Sequence, residues 1–386
     1  RLIETADGIK YDLNTVREEY LQRLDDFVRI ARQNGVIVEL TFFSSIYSDK
    51  QWAIHPFNPA NNIQDYAIDD FRMLQTSQAP PRVREIQRSF VTRVVERLNH
   101  HSNLFYEIQN EPWSDNHTMG ETLNLHWDKD SYPNRVEVTT ERAIAWQAEI
   151  AAAIHKVESK LPFQHMIAQN VANFRLSLKS DDLIPHATLF NFHYALPEAL
   201  LWNRGKGIAI GYDESGFSGS DPNDYLVQAW RFVMSGGGLY NNLDYTFTVG
   251  HEDGSDHDNL AKGICDPAFR TRLSLLSGFI RQLPLESMKP ANQIVVCCDG
   301  GTVFALSNRS DCTAAYVEGR SPMNVTFSGK ALPVEDPDSA TVTAINCLSG
   351  EKRMLPLRIS ADGSLTVPSI PFNHAAIMLR RSPAAP

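Results

Sequence analysis

The sequence alternates amphipathic helices with short apolar strands, and this alternation is what most limits the folds open to the chain. Residues 15–34 place apolar side chains at three- and four-residue steps, which is typical of one face of a helix. The run VIVELTFF at 36–43 follows directly and is apolar or β-branched almost throughout, as expected of a strand buried on both faces. Alternation of this kind predicts a parallel α/β sheet.

The same pattern continues to about residue 285. Further helices are predicted at 81–98, 141–158, 222–234 and 267–283. Further strands are predicted at 103–109, 165–172, 189–195, 207–217 and 237–247. At the first helix, Thr15 followed by Glu18 predicts a capping box, and Gly35 predicts the C-terminal end.

The pattern changes after Pro290. Short β-rich runs such as TVFALS and ATVTAINC are separated by Gly, Asp, Ser and Pro turns, without a helical period. This pattern of short strands and turns predicts a small antiparallel β-sandwich. We therefore expect two domains, an α/β barrel at 1–288 and the sandwich at 289–386.

Composition excludes several classes of protein. The 386 residues carry a formal net charge of −10, with both signs mixed along the chain, which argues against a nucleic-acid partner. The apolar runs are shorter than the ~20 residues of a membrane-spanning helix, so we expect a soluble protein. The five cysteines show no CxxC spacing, and no strand end offers an HxH pair, so we expect no metal and no cofactor.

Two of the predicted strands end in a glutamate. The stretch NLFYEIQNEPWSD leads from apolar residues to Glu111, and GIAIGYDESGF leads to Glu214. For an isolated Asn-Glu-Pro, a helix cap or a solvated loop carboxylate is an equally good interpretation. In a parallel barrel, however, all strands open at their carboxyl ends on one face, so the two glutamates would share a pocket. Paired carboxylates suit the cleavage of a glycosidic bond.

IQNEP and YDESG resemble the motifs that end the fourth and seventh strands of the clan-A glycoside hydrolases, whose family-5-like members are (β/α)8 barrels. The resemblance implies a retaining mechanism with Glu111 as acid/base and Glu214 as nucleophile. It also implies that Asn110 holds the 2-hydroxyl of the sugar and that His193 ends the sixth strand. Tyr194, directly after it, stands near the tyrosine of the clan's His-x-Tyr and is a further candidate for substrate binding.

The front of the chain departs from this pattern. If 103–109 is the fourth strand, then 36–43 is the third, and Arg1 to Leu13 is the loop leaving a second strand. We therefore expect a (β/α)8 TIM-barrel type truncated to six strand–helix units, without the arginine that the clan usually places near the nucleophile. Unpaired edges favour association. The chain is expected to be a truncated one or a homo-oligomer that covers these edges.

Aromatic and polar side chains near the predicted strand ends are candidates for binding sugar. Tyr47, Trp52 and Trp113 offer stacking surfaces, although each could equally be a hydrophobic plug in a loop. Asp244 and Tyr245 lie where the clan often places a tryptophan at the end of its eighth strand. Three further tryptophans lie in or beside helices and are expected in the core: Trp146, Trp202 and Trp230.

Two functions remain open at this level. The first is a retaining glycosidase that acts on a β-linked glycoside or oligosaccharide, with the sugar and linkage undetermined. The second is a carbohydrate-binding relic that keeps the cleft but has lost turnover. A metal-dependent barrel hydrolase is a third and weaker alternative.

Overall fold

The computed structural model describes residues 1–6, 8–114, 117–121, 135–173, 178–194, 196, 199–203, 205–215, 221–244, 246–256 and 267–382. The chain divides into two compact units. The first contains residues 1–123, 134–195 and 205–211, and the second contains 124–133, 196–204 and 212–386.

The sequence alternation predicts five of the described helices, but not the short ones at 49–54 and 199–202. They are α1 (Glu18–Gln33), α2 (Asp49–Ile54), α3 (Pro81–Leu98), α4 (Glu141–Glu158), α5 (Ala199–Trp202), α6 (Pro222–Met234) and α7 (Pro267–Ile280). Proline at the start of α3 and α6 fits the first turn, where a missing N–H leaves no bond unmade. None of the helices in the described ranges has the length and apolar character needed to cross a bilayer.

The strands are more numerous than the sequence predicts. They are β1 (Leu2–Thr5), β2 (Gly8–Tyr11), β3 (Val38–Ser44), β4 (Leu104–Asn110), β5 (His117–Glu121), β6 (Arg135–Thr139), β7 (Ile167–Gln169), β8 (Leu189–His193), β9 (Ala209–Ser215), β10 (Leu239–Asn242), β11 (Lys289–Pro290), β12 (Val295–Ser307), β13 (Cys312–Phe327), β14 (Ala340–Asn346), β15 (Lys352–Leu355), β16 (Arg358–Ile359), β17 (Leu365–Ile370) and β18 (His374–Arg381).

Six parallel strands form one sheet in the order β10-β9-β8-β7-β4-β3. This confirms the α/β fold of the TIM-barrel type, with six parallel strands in the part of the chain that the structure describes. The register of β3 against β4 runs without a slip from Val38 opposite Leu104 to Ser44 opposite Asn110. The two strands therefore end side by side at their carboxyl ends.

Two predictions for the front of the chain are wrong. Residues 1–13 do not form a simple loop, because β1 and β2 pair as an antiparallel hairpin with Leu2 opposite Tyr11. The capping box is also absent, since α1 begins at Glu18 and Arg17 provides no side-chain cap. The Thr15 hydroxyl donates instead to Asp12 Oδ2 at 2.5 Å.

The core of the first unit lies between the sheet and the helices α1, α3 and α4. Trp146 of α4 is fully buried there, and its indole N–H donates to Gln87 Oε1 at 2.9 Å. Its ring meets Phe43 of β3 edge to face at 5.2 Å. The same cluster includes Tyr106 and Ile108 of β4, so the strand that leads to Glu111 is held from its helix-facing side.

The C-terminal part is an antiparallel sheet in the order β11-β12-β13-β18-β14-β15, and β17 pairs with both β13 and β16. The long strand β13 pairs with β18 over its first half and with β17 over its second half. Instead of two separate sheets, one continuous antiparallel sheet therefore encloses the core. That core includes Val325, Phe327, Leu365 and Ile377.

The other face of this sheet is buried as well. Along β12 and β13, Phe304, Leu306 and Tyr316 face away from this core and pack with Trp230 of α6 and Phe279 of α7. Side chains of a strand alternate between its two faces, so this double burial explains why TVFALS and CTAAYV read as almost unbroken apolar runs.

Candidate active site

Glu111 directly follows β4. The strand is buried from Leu104 to Gln109 and becomes half-buried at Asn110. Glu111 itself has a φ of +51°, a left-handed conformation that is uncommon for residues other than glycine and that clusters at functional sites. Its backbone oxygen accepts a hydrogen bond of 2.5 Å from the Ser45 hydroxyl, which fixes the turn.

Several side chains approach the Glu111 carboxylate. His193 Nδ1 lies 3.3 Å from Oε1, and the Tyr194 hydroxyl donates to the same oxygen at 3.3 Å. The Ser114 hydroxyl lies 3.5 Å from Oε2. His193 ends β8, so residues from two strands of the sheet meet at their carboxyl ends. The structure thus brings together Glu111, His193 and Tyr194, which the sequence had indicated as site residues.

The charge state of Glu111 follows from these contacts. Burial by itself would raise the pKa of this carboxyl, but hydrogen bonding and positive charge from His193 act in the opposite direction. The hydroxyls of Tyr47 and Tyr194 add to that effect, and the pKa ends below its ordinary value. Glu111 is therefore ionised at neutral pH in the free protein.

Tyr47 and Asn110 form a second polar contact beside the carboxylate. Asn110 Nδ2 donates to the Tyr47 hydroxyl oxygen at 3.0 Å. Burial and the negative charge of Glu111 raise the pKa of Tyr47, so its hydroxyl keeps its proton. Tyr47 can consequently donate to Glu111 while it orients the Asn110 amide.

Trp113 and His193 are both buried. The Trp113 ring meets the His193 ring edge to face, with centroids 5.1 Å apart and an interplanar angle of 87°. Trp113 is 1% exposed, so in this structure it packs against the imidazole in the protein interior. Trp52, on α2, is half-buried and packs with His55 and Phe71.

Glu214 lies near the carboxyl end of β9, in the second unit. It is half-buried, while its neighbours Asp213 and Ser215 are buried. Successive side chains of a strand point to opposite faces, so Glu214 faces away from both neighbours. The Ser215 hydroxyl donates to Asn242 Oδ1 at 2.6 Å and ties β9 to β10.

Asp244 follows β10, and its carboxylate contacts residues of the same compact unit. Its Oδ1 accepts hydrogen bonds from the backbone N–H and the hydroxyl of Thr246, at 2.9 and 2.6 Å, and its Oδ2 lies 3.3 Å from Arg270 Nη1. Tyr245, the other candidate from this strand end, lies outside the described residues.

Sequence reasoning missed a polar network inside the first unit. Glu107 is buried and accepts hydrogen bonds of 2.7 Å from Thr41 Oγ1 and from Asn170 Nδ2. Asn191 Nδ2 adds a bond of 2.7 Å to Glu39 Oε1. The alternation of Glu107 and Gln109 with apolar residues along β4 was the available signal, because it places polar groups on one face of a buried strand.

A cavity of about 750 Å³ opens beside Tyr47, Ser44 and Ser45. Its walls are mainly apolar and aromatic, and they include Phe42, Phe43, Ile54, Phe57 and Phe90. Apolar walls with a few polar groups are typical of sites that bind small molecules. The cavity lies next to Asn110, which contacts Tyr47 directly.

Residues 2–224 match the family model described as Cellulase (glycosyl hydrolase family 5), which covers more than half of the chain. The chain belongs to glycosyl hydrolase family 5. Its resemblance to clan-A glycoside hydrolases is thereby confirmed. As a family-5 protein it is a glycosidase, and its substrate is a carbohydrate.

Solved structures agree with the family-5 fold. A glycoside hydrolase family 5 from Bacteroides vulgatus ATCC 8482 superimposes with a TM-score of 0.58 at 9% identity, over 98% of this chain and 80% of that one. A structure described as a glycoside hydrolase gives a TM-score of 0.54 at 9% identity, over 100% and 97% of the two chains. At such low identity these similarities show the fold alone. A sequence comparison with curated proteins gives no match.

Proposed function

We propose that this family-5 protein is a retaining hydrolase of β-linked glycosides, with Glu111 as acid/base and Glu214 as nucleophile. The observation that carries the proposal is the environment of Glu111: a left-handed residue directly after β4 whose carboxylate meets His193, the last residue of β8, and Tyr194, which follows it. Glu214 is the glutamate near the carboxyl end of another strand of the same parallel sheet.

In the first step, Glu214 attacks the anomeric carbon while Glu111 gives its proton to the leaving oxygen. In the second step, Glu111 takes a proton from water, which displaces Glu214 from the glycosyl ester with a second inversion. Two inversions retain the anomeric configuration.

The protonated form of Glu111 must be stabilised during catalysis, because the carboxyl is ionised in the free protein. A substrate that fills the cleft removes water from the carboxylate and raises its pKa, which favours the protonated form needed in the first step. Esterification of Glu214 removes a negative charge from the site and lowers the pKa of Glu111 again. The same residue can then act as a base.

The neighbouring residues have positioning and binding roles in this scheme. Asn110, oriented by Tyr47, would hold the sugar 2-hydroxyl, and Trp113 would keep the His193 ring in place. Further contacts to the substrate are proposed for Trp52, Asp244 and Tyr245. The cavity beside Tyr47 would receive part of the substrate.

The test is the intact mass of the protein after incubation with a panel of activated 2-deoxy-2-fluoro β-glycosides, followed by peptide mapping. We expect a stable adduct on Glu214, and no adduct on the Glu214→Gln variant. An adduct on another residue would overturn the assignment. Sugar binding without an adduct or turnover, from a folded protein, would favour the carbohydrate-binding relic instead.

The expected homo-oligomer stays a prediction. Among the described residues β3 lies at one end of the parallel sheet, and Val36 and Ile37 just before it are exposed. Light scattering coupled to size-exclusion chromatography measures the oligomeric state directly. A mass of one chain at micromolar concentration would refute it.

A further inference from the structure

Two adjacent histidines and an aspartate converge far from the glycosidase site. Asp25 lies on α1, and His100 and His101 lie in the turn between α3 and β4. This turn enters β4 at its amino end, whereas Glu111 follows the carboxyl end. The seven residues of β4 have six steps of ~3.3 Å each between them, so its two ends lie about 20 Å apart.

The possible ligand atoms of the three side chains lie close together. His101 Nε2 lies 2.6 Å and His100 Nε2 lies 3.2 Å from the same oxygen, Asp25 Oδ1. The two imidazole rings are 4.0 Å apart between centroids, and the three possible ligand atoms all lie within 4.8 Å of one another. We propose that Asp25, His100 and His101 form a binding site for a divalent transition-metal ion, with Zn²⁺ as the best match.

The separations suit such an ion. Nitrogen and oxygen ligands at 2.0–2.2 Å from a tetrahedral Zn²⁺ lie about 3.3 Å from each other. The present distances of 2.6 and 3.2 Å therefore need only a small outward shift of the side chains. Imidazole nitrogens with one carboxylate oxygen are ligands that zinc accepts, and water would complete the fourth position.

The site combines rigid support with open access. The side chains of His101 and Asp25 are 4% and 20% exposed, whereas that of His100 is 61% exposed. The turn is held in place by a further hydrogen bond, which His165 Nε2 donates to the His101 backbone oxygen at 2.6 Å. His165 Nδ1 in turn lies 2.6 Å from Glu158 Oε1. An ion could enter at His100 and bind to two ligands that are already fixed.

The competing explanation is a plain network of ion pairs that ties α1 to the turn. The two explanations differ in what an added ion does. A network of ion pairs is complete without zinc, whereas a metal site gains stability from it, because an ion that binds only the folded state stabilises that state.

The test uses the full chain, stripped with EDTA and dialysed, with ZnCl₂ as the probe in isothermal titration and thermal unfolding. We expect one Zn²⁺ per chain and a Tm that rises by roughly 2–4 °C at saturating zinc. His100→Ala should weaken the zinc Kd at least about tenfold, since one of three protein ligands is lost. Its Tm in EDTA should stay close to that of the wild type, because this side chain is exposed.

Two further variants make the result specific. Asp25→Asn keeps an acceptor for His101 but removes the charged ligand, and should also weaken the Kd at least about tenfold. The control is His155→Ala. The His155 ring stacks on the His186 ring with centroids 4.1 Å apart, but no described carboxylate joins this pair to form a group of three possible ligands. The absence of zinc binding to the wild type would overturn the proposal. So would a Kd that His100→Ala leaves unchanged or that His155→Ala weakens equally.

Discussion

The hydroxyl of Tyr194 donates a hydrogen bond of 3.3 Å to Oε1 of Glu111. The donor comes from a residue with a φ of +53° and the acceptor from one with a φ of +51°, so two left-handed residues, one directly after β8 and one directly after β4, present these groups to each other. Such backbone conformations are costly, and their pairing at one carboxylate indicates that its charge state is under structural control.

Tyr194→Phe should raise the pKa of Glu111, because the donor that stabilises the carboxylate is lost. A general acid works in its protonated form, so activity is present below this pKa and is lost as pH rises through it. The alkaline limb of kcat/KM should therefore move to higher pH. The pH profile with an aryl β-glycoside measures this. Tyr240→Phe serves as control, because the hydroxyl of Tyr240 donates to the Tyr225 backbone oxygen at 3.0 Å and not to Glu111. An unmoved limb would contradict the role of Tyr194.

Glu111→Ala should affect substrates according to their leaving group. Protonation by a positioned acid contributes about 10²–10⁴-fold to rate, and a dinitrophenolate needs little such help. The loss in kcat/KM should thus be far larger for alkyl or sugar leaving groups than for dinitrophenyl glycosides. Added azide should yield a β-glycosyl azide from the variant. Equal losses for all leaving groups would refute the assignment, and the exposed Glu96→Ala serves as control.

Trp146→Ala should destabilise the protein by about 3–5 kcal/mol, because it empties a fully buried site and leaves Gln87 without its indole donor. Trp202 was expected in the core but is 51% exposed, and Trp202→Ala should cost no more than about 0.5 kcal/mol. Denaturant midpoints of the two variants measure the difference. Similar losses from both variants would contradict this prediction.

His55 should make the protein sensitive to acid. Burial lowers the pKa of His55 to about 4. Between its ordinary pKa near 6.5 and this value, the unfolded state binds a proton that the folded state does not. Stability should therefore fall as pH drops from 6.5 to 4, by up to about 3 kcal/mol from this residue. Below pH 4 its contribution should change no further.

His55→Asn tests this dependence. An asparagine can still accept the hydrogen bond that Phe57 N donates to His55 Nδ1 at 3.2 Å. The variant should lose less stability between pH 6.5 and 4 than the wild type, when the free energy of unfolding is followed by denaturant titration. The exposed His251→Asn should behave like the wild type. Parallel curves for His55→Asn and the wild type would reject the explanation.

The sequence was informative where local pattern and burial agree. The bounds of α3, α4 and α6 match the predicted ranges because apolar periodicity and proline mark them clearly. The β1–β2 and β5–β6 hairpins were missed, since strands of four or five residues are too short to leave a clear pattern. Of the site, the sequence indicated Glu111 and His193, but not the hydroxyls of Ser45 and Ser114, because such contacts depend on how loops return to the strand end.

The double burial of the C-terminal sheet has a consequence for how this architecture can be divided. Arg231 of α6 makes hydrogen bonds of 2.6–3.0 Å to both carboxylate oxygens of Glu318, and Trp230 stacks on Tyr316 at 5.8 Å. A crossover between genes placed at the start of that sheet would separate both pairs. A recombinant protein that folds should therefore contain α6, α7 and the sheet from the same parent gene.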